Sequence, residues 1–158
     1  MDATITAGTK FYIGTQKAAT LVTDYDGDTW TEVKGIKDLG EVADEAEAIK
    51  VLTIGDARQR TYKGARNGGE LDVVCISDPS DAGQTAMKAA YKSVSQVPFN
   101  FKVVFPDVPV SGSPVHGTEL YFSGVVMSAS RKIAGANDVL EMTYKTTINT
   151  DVLEVAAA

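Results

Sequence analysis

The sequence is poor in residue types that often carry chemistry, because it contains one cysteine, one histidine and one tryptophan. A single cysteine, Cys75, cannot form an internal disulfide, which excludes the disulfide-stabilised class of small secreted domains and suits a reducing cytoplasm. Cys75 lies in the apolar stretch LDVVCIS, and we expect it to be a buried hydrophobic residue rather than a nucleophile. His116 lies in a loop rich in proline and glycine, and no GxSxG motif accompanies it, so a histidine-dependent catalytic triad is not expected.

Long apolar runs and excess positive charge are also missing. No stretch approaches the roughly 18 uninterrupted apolar residues of a membrane-spanning helix. The first residues, MDATITAGTKFYIG, lack the basic and apolar segments of a secretory leader, and we expect no membrane anchor. With 21 acidic and 15 basic residues, the formal net charge is -6. This balance argues against a domain that wraps nucleic acid, because such domains are usually strongly basic.

What the sequence does have is β-strand patterning in a chain of ordinary domain size. Its 158 residues are 44% hydrophobic, which is enough for one core, and we predict a single domain over residues 1–158. In FNFKVVF, the apolar residues Phe99, Phe101, Val103 and Phe105 alternate with Asn100 and Lys102, as a half-buried strand requires. Further predicted strands are KFYIGT, TWTEVKGI, AIKVLTI, ELDVVCIS, ELYFSGVVMSAS and VLEMTYKTTINT. The last two are predicted to form an antiparallel hairpin, and about six or seven strands suffice for a sandwich or barrel.

One segment, DPSDAGQTAMKAAYKSV, is predicted to be helical. Asp78 is the predicted N-cap and Pro79 the first helical residue, so that the helix spans about 79–93. Its apolar stripe consists mostly of alanine, which allows the helix to lie close against a sheet. The acidic stretch EVADEAEAI is open to two interpretations, a helical turn or an extended segment.

The acidic residues form no clear catalytic or metal site. DYDGD, from Asp24 to Asp28, resembles a calcium loop because its three carboxylates alternate, but its glycine is at the fourth position and the twelfth position is Gly35 rather than a bidentate glutamate. A solvated hairpin turn is the favoured interpretation. No carboxylate pair stands in the apolar setting that acid–base catalysis requires. We therefore predict no enzymatic activity, no catalytic residues, no cofactor and no metal.

The most unusual segment is GDARQRTYKGARNGGELDV, in which Arg58, Arg60, Lys63 and Arg66 fall within nine positions. A Walker phosphate loop ends in Gly-Lys followed by Ser or Thr, whereas the glycine pair here precedes a glutamate that would repel phosphate. Tyr62 is the single aromatic residue among the cations, a weak signal for nucleic-acid binding. The segment is predicted to be a long exposed loop. Loops of this length usually have a function or are disordered.

Several elements, in their order along the chain, resemble the phage tail tube proteins, the major tail proteins that polymerise into the inner tube of long tails. The elements are WTEVKGIKDLGE, an acidic stretch, YKGARNGGELDVVCISDPSDAGQTAMKAA, PFNFKVVFPD, and ELYFSGVVMSAS followed by a loop and DVLEMTYKTTINTDV. The phrase DPSDAGQ, after KG and a glycine-rich turn, is the most specific of them. The resemblance covers most of the chain, from Trp30 to Val152.

The resemblance implies a mainly β fold, sandwich-like or barrel-like, with one flanking helix and a long inter-strand loop. Copies of the chain would form hexameric rings, and the rings would stack into a tube that conducts the genome into the host cell. Segments of about 1–10 and about 151–158 would be extended arms. The implied partners are a tape-measure protein, a tail terminator and baseplate or initiator proteins, with DNA passing through unbound. The implied location is the virion tail, after synthesis in the host cytoplasm.

The resemblance also assigns surfaces. The predicted loop, Gly55 to Gly69, would contact a neighbouring subunit or ring. Its predicted interface residues are Arg58, Arg60, Tyr62, Lys63 and Arg66, and their predicted acidic partners are Glu41, Asp44, Glu45 and Glu47. Complementary charges of this kind set register more than they add affinity. Glu141, on the polar face of a long strand, is predicted to face the lumen, where carboxylates repel DNA phosphates.

Two other functions stay open at this level. An Hcp-like tube protein of a bacterial secretion or contractile injection system would share the fold and the hexameric rings. A monomeric β-sandwich binding module, for example for carbohydrate, would need an exposed aromatic platform, and Trp30 is the only tryptophan available for one.

Overall fold

The computed structural model describes residues 3–112 and 115–158. Within these ranges the chain forms ten β-strands and two α-helices. In chain order they are β1 (Lys10–Gln16), α1 (Val22–Asp26), β2 (Thr31–Val33), β3 (Ile36–Asp38), β4 (Glu45–Val51), β5 (Arg60–Asn67), β6 (Glu70–Ile76), α2 (Ala82–Lys92), β7 (Phe99–Val104), β8 (Glu119–Lys132), β9 (Glu141–Ile148) and β10 (Leu153–Val155). No helix in these ranges is both long enough and apolar enough to cross a membrane.

Eight strands form one antiparallel sheet, and the long strand β8 joins its two halves. The order is β2-β1-β7-β8-β9-β6-β3, with β10 paired to the beginning of β8. The first half of β8 pairs with β7 as far as Gly124, and the second half pairs with β9 from Gly124 onward. A Cβ atom at Gly124 would collide with the carbonyl oxygen of Thr147, so the close approach of the two strands at this point requires glycine.

The two halves of the sheet enclose one hydrophobic core. β1, β7 and β8 contribute the buried rings of Phe11, Phe101 and Phe122, which stack with centroid distances of 5.7 and 5.5 Å. β6 and β9 contribute apolar residues from the other half, among them Val73 and Tyr144. The core explains the period-two pattern of these strands, because alternate residues point into it.

Helix α2 closes one end of the barrel-like body and fixes the corner where β2 turns into β3. The carboxylate of Asp81 accepts hydrogen bonds from the backbone N–H groups of Lys34 and Gln84, at 3.1 and 3.0 Å. The buried Gln84 side chain donates to the carbonyl of Lys34 at 2.9 Å. Gly35 has φ +74° at the kink, and a Cβ atom at Gly83 would collide with the backbone of β2. The stretch DPSDAGQ therefore has a structural explanation. Its Asp81 and Gln84 hold α2 against the corner between β2 and β3, and we call these contacts the corner latch.

The segment between β1 and β2 covers the outer face of β7 and β8. Tyr25 of α1 stacks on Tyr121 and, with Ala19, forms a second, smaller apolar cluster. Beside it, the side chain of Asn100 donates to Asp28 at 2.7 Å and accepts from Ser123 at 2.8 Å. Asn100 lies on the opposite side of β7 from Phe101, as predicted, but it is fully buried because this segment covers it.

The carboxylates of DYDGD point to separate partners. Asp24 accepts from the backbone N–H groups of Thr20 and Leu21, Asp26 from the hydroxyl of Tyr121, and Asp28 from Asn100. Among the described residues, no three potential metal ligands come together. The predicted hairpin turn is wrong, because Val22–Asp26 form α1, whose tyrosine packs in the smaller cluster.

Most of the predicted strands, the β8–β9 hairpin and the buried Cys75 are confirmed. The helix is confirmed, but the predicted cap is wrong: α2 begins at Ala82, and Asp81 rather than Asp78 is the N-cap. The EVADEAEAI stretch is extended, since β4 begins at Glu45. Leu153–Val155 of the C-terminal segment pair with β8, and whether the two terminal segments reach neighbouring copies stays a prediction.

Candidate assembly surfaces

A two-stranded hairpin projects from the body, and we call it the arm. It consists of β4, β5 and the connecting tip, residues 52–59. The predicted loop from Gly55 to Gly69 is therefore wrong over most of its length, because Arg60–Asn67 form a strand. Every residue of the two strands except Gly64 is exposed. An isolated two-stranded hairpin is at best marginally stable in water, so the arm lacks the burial that stabilises the body.

The two faces of the arm differ in chemistry. On one face Ile49 lies opposite Tyr62 and Val51 lies opposite Arg60. On the other face Lys63 and Arg66 lie opposite alanines of β4. An irregularity between Ala46 and Ala48 shifts the register. One face is thus partly apolar and the other is basic. Of the predicted interface residues, Tyr62 and Arg60 belong to the first face, and Tyr62 has 53% of its surface exposed.

The cations of the arm differ in their partners. Arg66, at the base of the arm, lies 3.5 Å from Asp151 and 4.0 Å from Asp44. Arg60 lies 3.4 Å from Asp56. Neither Arg58 nor Lys63 has an ion-pair partner among the residues that the structure describes.

The predicted acidic partners are spread over three positions. Asp44 already faces Arg66 of its own chain. Glu45 and Glu47 are exposed on β4, and Glu41 is exposed at the body. The structure therefore brings one predicted cation and one predicted acid together within a single chain. Whether the remaining residues meet a neighbouring copy stays a prediction.

The tip carries apolar residues that the sequence patterns did not single out. Leu52 is 65% exposed and Ile54 is fully exposed. The N–H of Asp56 donates to the carbonyl of Thr53 at 3.1 Å, which closes a turn with Ile54 and Gly55 at its apex. The stretch AIKVLTI reads as an ordinary core strand. Sequence patterns alone do not distinguish an apolar side chain that its own chain buries from one that stays exposed in the single chain.

The body is open at the end opposite α2, where a pocket of about 620 Å³ lies between the two halves of the sheet. We call it the open-end pocket. Its apolar lining includes Leu39, Val42, Val103, Phe105 and Leu120. Three lining residues are acidic and none is basic: the acids are Glu41, Asp107 and Glu154.

Glu141 lies on a face that carries both acidic and basic residues. The Nζ of Lys37 lies 2.7 Å from its carboxylate, and this hydrogen bond lowers the pKa of Glu141. The outward face of β3, β6, β9 and the end of β8 carries four acids and three bases: the acids are Asp38, Glu70, Asp72 and Glu141, and the bases are Lys37, Lys132 and Lys145. If this face lines a lumen, its cations offset most of the charge of its carboxylates. The lumen position of Glu141 stays a prediction.

Comparison with solved structures gives clear matches over nearly the whole chain. A chain of the anti-feeding prophage baseplate has a TM-score of 0.72 and 9% identity, with 99% of this chain and 97% of that chain covered. A chain of the sheath/tube terminator of PVC, an extracellular contractile injection system, has a TM-score of 0.71 and 9% identity, with 99% of each chain covered. The SPP1 tail tube has a TM-score of 0.61 and 12% identity, with 98% of this chain and 80% of that chain covered.

The chain has the tail-tube fold. At 9% and 12% identity, the likeness lies in the fold and not in particular side chains. No protein-family model and no curated protein sequence matches the chain. The predicted fold class, a mainly β tail-tube fold with one flanking helix, is confirmed.

Proposed function

We propose that this chain is the structural subunit of a phage tail tube, which polymerises as stacked hexameric rings and conducts the genome into the host cell. The observation that carries the proposal is an exposed arm on a tail-tube fold. The arm buries little against its own chain, and it presents apolar and basic residues to the outside. Such a surface is expected to be covered by a partner.

Contacts between copies account for this surface better than contacts with DNA. The arm projects from one side of the chain, so a contact with a different surface of the next copy is heterologous, and heterologous contacts repeat into rings or filaments. The baseplate that contains the similar prophage chain is six-fold symmetric, which supports a hexameric ring here.

The charge of the chain suits a conduit for DNA. With a net charge of -6, an assembled tube repels phosphates and does not hold the genome by counterion release. The arm cations Arg58 and Lys63 then face protein, and the lumen presents neutral or acidic surface. Glu141 is a proposed lumen residue, with its charge matched by Lys37.

The proposed partners follow from a tube of finite length. A tape-measure protein sets the length, a terminator closes one end, and baseplate or initiator proteins start polymerisation at the other. The proposed location is the virion tail, after synthesis in the host cytoplasm.

Electron microscopy of the purified protein at high concentration, with and without a tail initiator, tests the proposal. Rings or tubes of uniform diameter are the expected result. Persistent monomers under both conditions would contradict it.

A tube protein of a contractile injection system is the second candidate, and one observation favours it. The chain matches the prophage baseplate and injection-system chains with TM-scores of 0.72 and 0.71, and the SPP1 tail tube with 0.61. Neighbouring genes discriminate the two: a secretion or injection cluster supports this candidate, and head, portal and tape-measure genes support the phage. The binding-module alternative loses its platform, because Trp30 is partly buried and packs against Tyr121.

A further inference from the structure

The tip of the arm is an ordered apolar projection with a cation beside it. The turn from Thr53 to Asp56 holds Ile54 outward, and the side chain of Thr53 donates to Asp56 at 3.2 Å. Arg58 follows on the same tip without an ion-pair partner among the described residues. The tip thus combines two exposed aliphatic side chains with a free positive charge.

The open-end pocket has the complementary composition. Its floor is made of apolar side chains, including Val103 and Leu120, and its lining contains acids but no base. The carboxylate of Asp107 already accepts two hydrogen bonds from Thr118, from its N–H at 2.7 Å and from its hydroxyl at 2.6 Å. Glu41 and Glu154 have no hydrogen-bond or ion-pair partner for their side chains within the described ranges. The pocket therefore offers an apolar cavity rimmed by two free carboxylates.

The geometry of the chain separates the tip from its own pocket. Val42 lines the pocket and β4 begins three residues later, so the base of the arm stands beside the pocket rim. Seven strand residues at about 3.3 Å each place the tip roughly 23 Å from that base. A paired hairpin of this length is extended, so its tip lies away from the pocket of its own chain.

We propose that the tip of one copy docks into the open-end pocket of a second copy, with Leu52 and Ile54 in the cavity and Arg58 facing Glu41 and Glu154. The contact is heterologous, because tip and pocket are different surfaces of the same chain, and it repeats from copy to copy. It rests on the proposed tube function and specifies the contact that the arm makes. The charges orient the tip at the rim, and the apolar side chains are removed from water.

Crosslinking between two variants that each carry one introduced cysteine tests the docking. One variant carries Ile54→Cys and the other Val42→Cys, and a short bismaleimide is added to their mixture at a concentration where the protein assembles. The native Cys75 does not interfere, because it is fully buried and burial raises the pKa of its thiol to about 11. The control replaces Val42→Cys by Met127→Cys, an exposed position outside the pocket.

The expected result is a covalent dimer of the tip and pocket variants in at least about tenfold greater yield than with the control, because docking raises the effective concentration of the two thiols. Equal yields, or no dimer, would overturn the docking. Microscopy of the same samples separates this failure from that of the tube function. Tubes without the tip–pocket dimer overturn the docking alone, and neither tubes nor dimer overturns both.

Charge exchange supplies a second readout. Arg58→Glu alone and Glu41→Arg alone are each expected to reduce the dimer yield, because each places like charges at the rim. The two changes, one on each variant of the crosslinking pair, are expected to restore it. If each single change leaves the yield unaltered, the assignment of Arg58 to the rim is wrong.

Discussion

The body and the arm belong to one chain, but the body buries its large apolar side chains and the arm leaves them exposed. The body places alternate residues of its strands in a core, where Phe101 and Tyr144 are fully buried. The arm has the same antiparallel pairing, yet Ile49 and Tyr62 remain about half exposed although they lie opposite each other. Antiparallel pairing alone does not indicate where stability comes from. We therefore attribute stability to the body and propose that the arm serves assembly.

An aromatic residue from each region gives the largest expected contrast. Phe101→Ala removes a ring from the stacked core and is expected to lower the free energy of unfolding by about 3–5 kcal/mol. Tyr62→Ala on the arm is expected to change it by less than about 0.5 kcal/mol. Denaturant unfolding of the two variants measures both values. A large loss from Tyr62→Ala would show that the arm contributes to the stability of the single chain.

The corner latch is expected to give the next largest effect. Asp81→Ala removes the helix cap and leaves the N–H of Lys34 without its acceptor, at a cost of about 1–3 kcal/mol. Asp78→Ala is the matched control, because among the described residues its carboxylate bonds only to Ser80, in an exposed turn. Thermal unfolding compares the two variants. Equal losses of stability in the two variants would show that Asp78 contributes as much to this corner as Asp81 does.

Asp28 is expected to link body stability to pH. Burial by itself raises the pKa of its carboxyl, but hydrogen bonds from Thr15 and Asn100 prevail and lower it below the ordinary value of 3.8. The unfolded chain therefore binds this proton at a higher pH than the folded chain. The stabilisation is complete above a pH of about 4 and is lost as the pH falls through the folded pKa.

Asp28→Asn is accordingly expected to cost about 1–2 kcal/mol at neutral pH and less near a pH of about 3. Denaturant unfolding of the variant and the parent at both pH values measures how much the difference in their free energies of unfolding decreases at the lower pH. A difference that stays constant between them would show that the charge of Asp28 does not contribute.

The sequence predicts the body better than the arm for a physical reason. In β7 and β9, alternation reports burial in the chain's own core, and the structure follows it. β5 has no such alternation, because Arg60, Tyr62 and Gly64 on one face are all of different character. Its strand is defined by pairing with β4, which local patterns do not encode.

The corner and the open-end pocket depend on contacts between distant segments. Both aspartates of DPSD are able to cap a helix, and Asp81 is the N-cap in the structure. Its carboxylate also accepts a hydrogen bond from the N–H of Lys34, which lies in a distant part of the chain. The pocket takes its lining from the N-terminal segment, the stretch after β3, the ends of β7 and β8, and β10. Sequence spacing does not reveal such a site, although Glu41 was among the predicted interface acids.

The separation of stability from assembly is tested most directly by reversing the charge of the arm at Arg58, Arg60 and Lys63. The triple glutamate variant is compared with a control in which the exposed body residues Lys10, Lys17 and Lys92 are changed to glutamate, which gives the same change in net charge. Sedimentation velocity measures assembly, and denaturant unfolding measures stability. The account predicts that the arm variant stays folded, within about 0.5 kcal/mol of the parent, and fails to assemble, while the control assembles. Unfolding of the arm variant, or assembly equal to that of the control, would contradict it.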